Sequence, residues 1–395
     1  MSSRPRALVV APQPFFAPRG TPFSVYYRTL ITAQEGYEVD LLCYGRGEDV
    51  DLPGIRIVRI PAMSWLGPIK IGPSAAKLFL DIFIFAYSLW LLSTRRYAFV
   101  HAHEESVFFL RFMKPIFGFK LIYDMHSSLP EQLRNYKFTE SRLIIGAFEW
   151  LERTCLKAAD AVITICPELA HYARAQMPDP SRHELIENSI FEDVKLARPK
   201  RGEAPETIEM PMPSNRRVVL YAGTFEAYQG LDILIPAFAE VKRAVPDAFL
   251  LMVGGSPAQV ERYRTLAASH EIEPDDIAFT GSVPPTVARR YTKAADVLVS
   301  PRSSGSNTPL KIYEQLASGV PLVATSILSH TQVLDEKVCF LAEPEPRSFA
   351  AGMIRALTDE IGRARVSAGA LQRYREQYSR PIYETKMRRV LAMVA

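Results

Sequence analysis

Short runs of Val, Ile, Leu and aromatic residues recur along the whole chain, each followed by a polar or glycine-rich break and then by a segment with helical spacing. In the first half the runs are ALVV (7–10), VDLLCY (39–44), IRIVRI (55–60), FVHA (99–102), LIYD (121–124) and AVITI (161–165). In the second half they are VVLYAG (218–223), FLLMVG (249–254), IAFTG (277–281), VLVSP (297–301) and PLVAT (321–325). Runs this short and this continuously apolar read as strands buried on both faces. Alternating with amphipathic segments such as 233–244 and 258–270, they imply parallel sheets covered by helices. The pattern predicts an α/β protein of two doubly wound, Rossmann-like domains.

The segment 195–215, KLARPKRGEAPETIEMPMPSN, is rich in proline and charge and has no apolar period, so the boundary belongs there. The expected division is a first domain over 1–195, a linker over 196–215, a second domain over 216–375, and a C-terminal helix over 376–395 that crosses back to the first. A further segment, AAKLFLDIFIFAYSLWLL (75–92), is nearly all apolar but is interrupted by Lys77 and Asp81. These stand four apart, the spacing of a helical salt bridge. Charges inside a membrane span cost roughly 2.5–3.5 kcal/mol each, so the expectation is a buried or interfacial helix.

Composition narrows the function. The 395 residues are 48% hydrophobic and 23% charged, which is ordinary for a folded soluble protein. The net charge of +4 is too small and too scattered for a nucleic-acid protein. Cys43, Cys155, Cys166 and Cys339 show no metal or disulfide spacing. The apolar run at the N-terminus covers only 7–11, too short for a signal peptide, so the expected setting is the cytoplasm. FFLRFMKPIFGFK (108–120) interleaves Arg111, Lys114 and Lys120 with five phenylalanines. It reads equally as a core-facing helix with snorkelling bases or as a dock for an anionic membrane surface.

In open parallel sheets, ligands bind outside the carboxyl ends of the strands. The first run is followed by Arg19 and Gly20, FVHA by His103 and Glu104, and LIYD by His126. In the second half Gly223 and Thr224 close one run, Gln229 follows, and VLVSP leads into RSSGSNTP. Two such edges facing each other would form a cleft, with His126 in it. In SGSNTPLKIYEQLASGVP (304–321), Thr308 looks like an N-cap, Pro309 like the first helical residue and Gly319 like the C-terminal stop. Leu310, Tyr313 and Leu316–Ala317 would face the core. Lys311, in the first turn, opposes the helix dipole unless an anion is bound, and the backbone of Gly305, Ser306 and Asn307 could help hold one.

These segments resemble the family-4 glycosyltransferases of the GT-B type. The likeness rests on Ser300–Pro301, the small-residue loop, Glu314 and Gly319–Val320–Pro321, with YAGTFEAYQGLDILIPAFAEV, MVGGSP and FTGSVP upstream in the same order. It implies transfer of a sugar from a nucleotide-diphosphate donor to a hydroxyl of a glycan or lipid-linked acceptor, with retention and without a metal or other cofactor. It places Gly20, Gly223, Thr224, Gln229, Arg302, Ser306, Asn307, Thr308, Pro309, Leu310, Lys311 and Glu314 around the donor. His126 falls at the reaction centre, with Arg19, His103 and Glu104 on the acceptor side. Three positions depart from the family pattern. Thr224 and Gln229 stand where an arginine and a lysine usually grip the diphosphate, and Ser306 replaces the first of two glutamates.

His101, His103, Glu104, Glu105 and His126 could be drawn as a metal site, but an H-x-H pair is a weak signal beside hydrogen-bonded strand-end residues. Asp49–Val50–Asp51 reads as a solvated turn. A nucleotide-sugar epimerase of the same fold and a non-catalytic sugar-nucleotide binder remain as alternatives. A dinucleotide-dependent dehydrogenase does not, because no G-x-G-x-x-G follows the first strand.

Overall fold

The computed structural model describes residues 4–17, 20–67, 74–128, 141–191, 194 and 211–395. The chain divides into two compact units. One is chiefly Met1–Ser189 and Arg380–Ala395, and the other is chiefly Arg201–Ser379.

The first unit is built on β1 (Arg6–Pro14), β2 (Glu38–Tyr44), β3 (Ile55–Arg59), β4 (Phe99–His103), β5 (Lys120–Met125), β6 (Ala161–Thr164) and β7 (His183–Leu185). Their order is β3-β2-β1-β4-β5-β6-β7, with every neighbouring pair parallel. Helices α1 (Thr21–Gln34), α2 (Ala75–Thr94), α3 (Val107–Phe117), α4 (Arg142–Ala158) and α5 (Pro167–Gln176) accompany them. The second unit holds β8 (Arg217–Ala222), β9 (Ala248–Val253), β10 (Ile277–Gly281), β11 (Val297–Ser300), β12 (Leu322–Thr325) and β13 (Phe340–Ala342). The order β10-β9-β8-β11-β12-β13 is again parallel throughout. Its helices are α6 (Leu231–Ala244), α7 (Pro257–Ser269), α8 (Pro285–Ala294), α9 (Lys311–Ser318), α10 (Leu328–Thr331), α11 (Pro346–Thr358) and α12 (Glu360–Arg373). The two doubly wound sheets are those the alternating runs predict. Strand order reverses at β1/β4 and at β8/β11, and the carboxyl ends of those strands are where such sheets bind ligands.

Sequence dictates these elements locally. β4 is buried at every position and β9 likewise, so neither shows the alternation of a one-sided strand. Ser256 opens α7 with a full capping box to Gln259, satisfying helix-end donors that would otherwise be orphaned. α13 (Arg380–Val394) belongs to the first unit. It buries Tyr383, Met387, Val390 and Leu391 there and ties down by Lys386–Glu187 and Arg388–Glu35, each at 2.7 Å.

Helix α2 departs from expectation. Lys77 and Asp81 do not pair along the helix. Lys77 reaches Glu105 at 2.8 Å, and Asp81 accepts a 2.6 Å hydrogen bond from Tyr44. Both partners lie elsewhere in the sequence, and they draw the helix's only charges toward the sheet. Two strands were not foreseen. β7 and β13 are three residues each and lie at sheet edges, where one partner strand suffices to define them. All four cysteines are buried.

Candidate active site

In the first unit, parallel register sets His101 beside Ile122 and His103 beside Asp124 at the carboxyl ends of β4 and β5. The period-2 strand turns both histidines to one side, and their rings stack at 4.5 Å. His126, just past β5, stacks on His103 at 5.5 Å. Asp124 is the hub. Its Oδ2 lies 3.0 Å from His101 Nε2 and 3.2 Å from His103 Nδ1, and its Oδ1 lies 3.2 Å from His126 Nε2. The same Oδ2 accepts a hydrogen bond from Arg28 of α1, whose other nitrogen donates to the Ile186 carbonyl at 2.9 Å. Arg28 and Asp124 are both fully buried.

The electrostatics follow from that geometry. Burial would push the Asp124 carboxyl up, but Arg28 and the histidines hold it well below the usual carboxylate range. Burial lowers the pKa of His126 to about 4, with Arg28 and His101 adding to it against Asp124, so its imidazole is neutral at physiological pH. His103 is driven down for the same reason. His101, His103 and Asp124 offer three atoms close enough for a cation. Arg28 already donates to a carboxylate oxygen of the same Asp124.

Glu104, in a left-handed backbone conformation, follows β4 and shares Lys77 with Glu105. Burial and then Glu105 push its carboxyl up to about 7. Gly20 is the N-cap residue of α1, with φ +37 and open space where a side chain would stand. Arg19 lies outside the described residues.

In the second unit, the loop after β11 and helix α9 place the donor-side candidates. α9 begins at Lys311, not after a Thr308 cap. Leu310 occupies the cap position, Pro309 lies before the helix, and Thr308 Oγ1 is buried without a hydrogen-bond partner. The entry turn is closed by Ile312 N–H donating to the Pro309 carbonyl at 3.0 Å, so backbone does what the threonine was expected to do. The buried stripe is Ile312, Tyr313, Gln315 and Leu316, while Leu310 and Ala317 are only half-buried. Gly319 ends the helix at φ +71, as expected.

Lys311 Nζ is shielded from solvent and has no hydrogen-bond partner, although the residue as a whole is partly exposed. It sits 4.4 Å from the centre of the Tyr221 ring. A Cβ at Gly223 would come within 3.4 Å of it. Burial and then the nearby Arg302 bring its pKa down to about 7. Arg302 donates to the carbonyls of Ser304 at 2.7 Å and Asn307 at 3.2 Å, curling the loop around its guanidinium, and lies over the Tyr228 ring. The Ser306 carbonyl accepts from Gln332. Two cations therefore approach each other at the strand ends.

Thr224 and Gln229 are joined by a hydrogen bond from Gln229 Nε2 to Thr224 Oγ1 at 3.3 Å, and Tyr221 OH donates to the Thr224 carbonyl at 2.6 Å. Glu314 faces Arg289 at 3.9 Å rather than Lys311, and burial, opposed by Arg289, raises its carboxyl. Backbone packing fixes these loops. A Cβ at Gly230 would lie 1.9 Å from the Pro301 carbonyl, and one at Gly254 1.9 Å from that of Gly223.

Sequence reasoning missed three residues. Arg28 and Asp124 carried one signal each, the only charge in its helix and an acid near the end of a strand. His330, buried and bonded to Ser300 at 3.0 Å and Thr325 at 3.1 Å, carried none.

Comparison with known proteins agrees with this architecture. The family description "Glycosyl transferase 4-like domain" matches residues 31–189, and "Glycosyl transferases group 1" matches 216–359. A D-inositol 3-phosphate glycosyltransferase from Corynebacterium efficiens is 26% identical over 87% of this chain and 83% of its own. Among solved structures, sucrose-phosphate synthase from Thermosynechococcus elongatus superposes with TM-score 0.75 at 20% identity, over 98% of each chain. Anabaena Alr3699/HepE in complex with UDP gives 0.69 at 14% identity, over 98% of this chain and 99% of its own. With both units matched in order and both sheets doubly wound, this chain belongs to the family-4 glycosyltransferases of GT-B fold.

Proposed function

We propose that the enzyme moves a sugar from a nucleoside diphosphate donor to a hydroxyl of a glycan or lipid-linked acceptor, with retention, in the cytoplasm. The observation that carries the donor assignment is Lys311, an ammonium withdrawn from water with no partner beside a second cation, Arg302. An anion between them favours the charged form of both, and a diphosphate leaving group supplies one. Anabaena Alr3699/HepE, solved with UDP, supports a donor of this class. Lys311 and Arg302 take the place of the family's usual arginine and lysine, while Thr224 and Gln229 contribute neutral hydrogen bonds. Gly223 lets the diphosphate approach the β8 end, Ser306 and Asn307 line the loop, and Glu314 accepts from the ribose hydroxyls.

In the first unit, neutral His126 orients the sugar or the acceptor hydroxyl by hydrogen bonding, held by Asp124 and Arg28. His103, Glu104 and Gly20 line the same strand ends. No metal or other cofactor enters this scheme, since Arg28 supplies the charge facing Asp124.

The test is nucleoside diphosphate binding by calorimetry. Lys311→Ala is expected to weaken it about tenfold or more with stability unchanged or slightly raised, and Glu314→Gln to weaken the nucleoside as well. His126→Ala should lower turnover far more than donor affinity. Parental binding by both donor-side variants overturns the assignment.

A further inference from the structure

Helix α2 is amphipathic in reverse. Its two charged side chains point inward, Lys77 to Glu105 and Asp81 to Tyr44, while Leu80, Ile84, Ser88, Leu91 and Leu92 pack into the unit. The solvent side is left to Leu78, Phe79, Ile82, Phe85, Leu89 and Trp90, with Leu78 67% and Ile82 63% exposed. A helix of a soluble protein places its polar residues there.

The apolar surface continues past α2. Trp65 meets Phe79 edge-on at 5.8 Å, and Phe85 meets Phe109 of α3 at 5.5 Å. α3 exposes Phe112 and Ile116, and Arg111 bridges from Phe112 to Trp150 of α4, at 4.0 and 5.6 Å from the ring centres. Trp65, Trp90 and Trp150 are all three tryptophans of the chain, and all are more than half exposed on this surface. Tryptophan favours the boundary between hydrocarbon and water, since its ring is apolar and its N–H is not. A contiguous patch over three helices exceeds what a monomer leaves bare without use.

Charge identifies the occupant. Among the described residues of α2, α3, α4 and their ends, the exposed charged side chains are Arg96, Lys120, Arg153 and Lys157, all basic. None of the acidic ones is fully exposed, Glu104 and Glu149 being half-buried. Asp81 and Glu105 are bonded as above, Glu152 is buried, and Asp160 is held by Lys114 at 2.6 Å. A second copy of the chain would bring this basic rim against itself, whereas an anionic bilayer complements it. We infer that α2, α3 and α4 form a monotopic face on which the enzyme rests on an anionic lipid bilayer, with α2 lying in the interfacial plane. α2 does not span, because its inner side and both charges are bonded within the unit. This inference does not depend on the donor assignment.

The tryptophans supply the measurement. Full-length protein is mixed with vesicles of phosphatidylcholine and phosphatidylglycerol, with or without bromine-labelled acyl chains, and with phosphatidylcholine alone. Mixed vesicles should shift tryptophan emission to the blue, and the brominated ones should quench it, with far weaker effects from neutral vesicles. Leu78→Ser with Ile82→Ser should reduce vesicle affinity by about tenfold or more, leaving melting temperature and nucleotide binding unchanged. Unshifted emission, equal binding by the double variant, or a solution dimer that the double variant dissociates would each overturn the proposal.

Discussion

An ammonium held out of water without a partner costs free energy that a bound anion offsets, and at Lys311 this gives a pH signature. With its pKa lowered to about 7 by burial and then by Arg302, the free protein carries a neutral amine above that pH. The proposed diphosphate would bind the ammonium form. Affinity should therefore fall as pH rises from about 7 toward the ordinary lysine range, and binding at about pH 8 should take up a proton. Calorimetry in two buffers of different ionisation enthalpy measures that uptake, and Lys311→Met should abolish it. Without ligand the sign reverses. The unfolded chain binds the extra proton in that window, so stability climbs as pH rises through it. Asp124 and Arg28 make the opposite case, a buried charge that faces its counter-charge. Asp124→Asn leaves a guanidinium without its counter-charge and should cost about 3–5 kcal/mol in denaturant unfolding. Combining it with Arg28→Met should cost less than the sum of the two single changes.

At the scale of elements, α2 is docked through a carboxyl that prefers to be neutral. Burial and then Glu105 raise Asp81 to about 7, while Tyr44 and Lys77 pull the other way. The folded state thus binds a proton that the unfolded chain gives up between the ordinary aspartate range and about pH 7, and stability falls as pH rises across that window. Asp81→Asn keeps an acceptor for Tyr44 and removes the ionisation. Thermal melts should show it about 1–3 kcal/mol more stable than the parent near pH 8, with allowance for the solvent that still reaches the group, and little different near pH 4. Strands of four or more residues were legible in the sequence, because most are buried on both faces and leave few polar positions. β7 (His183–Leu185) and β13 (Phe340–Ala342) were not, since three residues carry no period. The Thr308 cap failed for a related reason. The motif was present, but a tight turn from Pro309 closed the helix start first.

Over the whole molecule, the last helix returns to the unit that holds the first strand. Met387 of α13 is fully buried in the first unit. Met387→Ala should cost that unit about 2–5 kcal/mol. Hydrogen exchange should quicken in β5, β6 and β7, which α13 contacts, with nucleotide affinity in the second unit unchanged.

By itself, the sequence determined two parallel α/β sheets, the strand ends that carry polar clusters, Lys311 as the unusual charge in its helix, and the family. These follow from short-range pattern, where burial dictates composition and helix ends dictate spacing. Tertiary structure decided what depends on distant partners. It turned the charges of α2 inward through Tyr44 and Glu105, and it joined Arg28 to Asp124 across 96 positions. It withdrew Lys311 Nζ from water beside Arg302 and left Glu314 facing Arg289. The physical reason is that a side chain's charge state and exposure are set by what the fold packs against it, and its neighbours in sequence do not specify that.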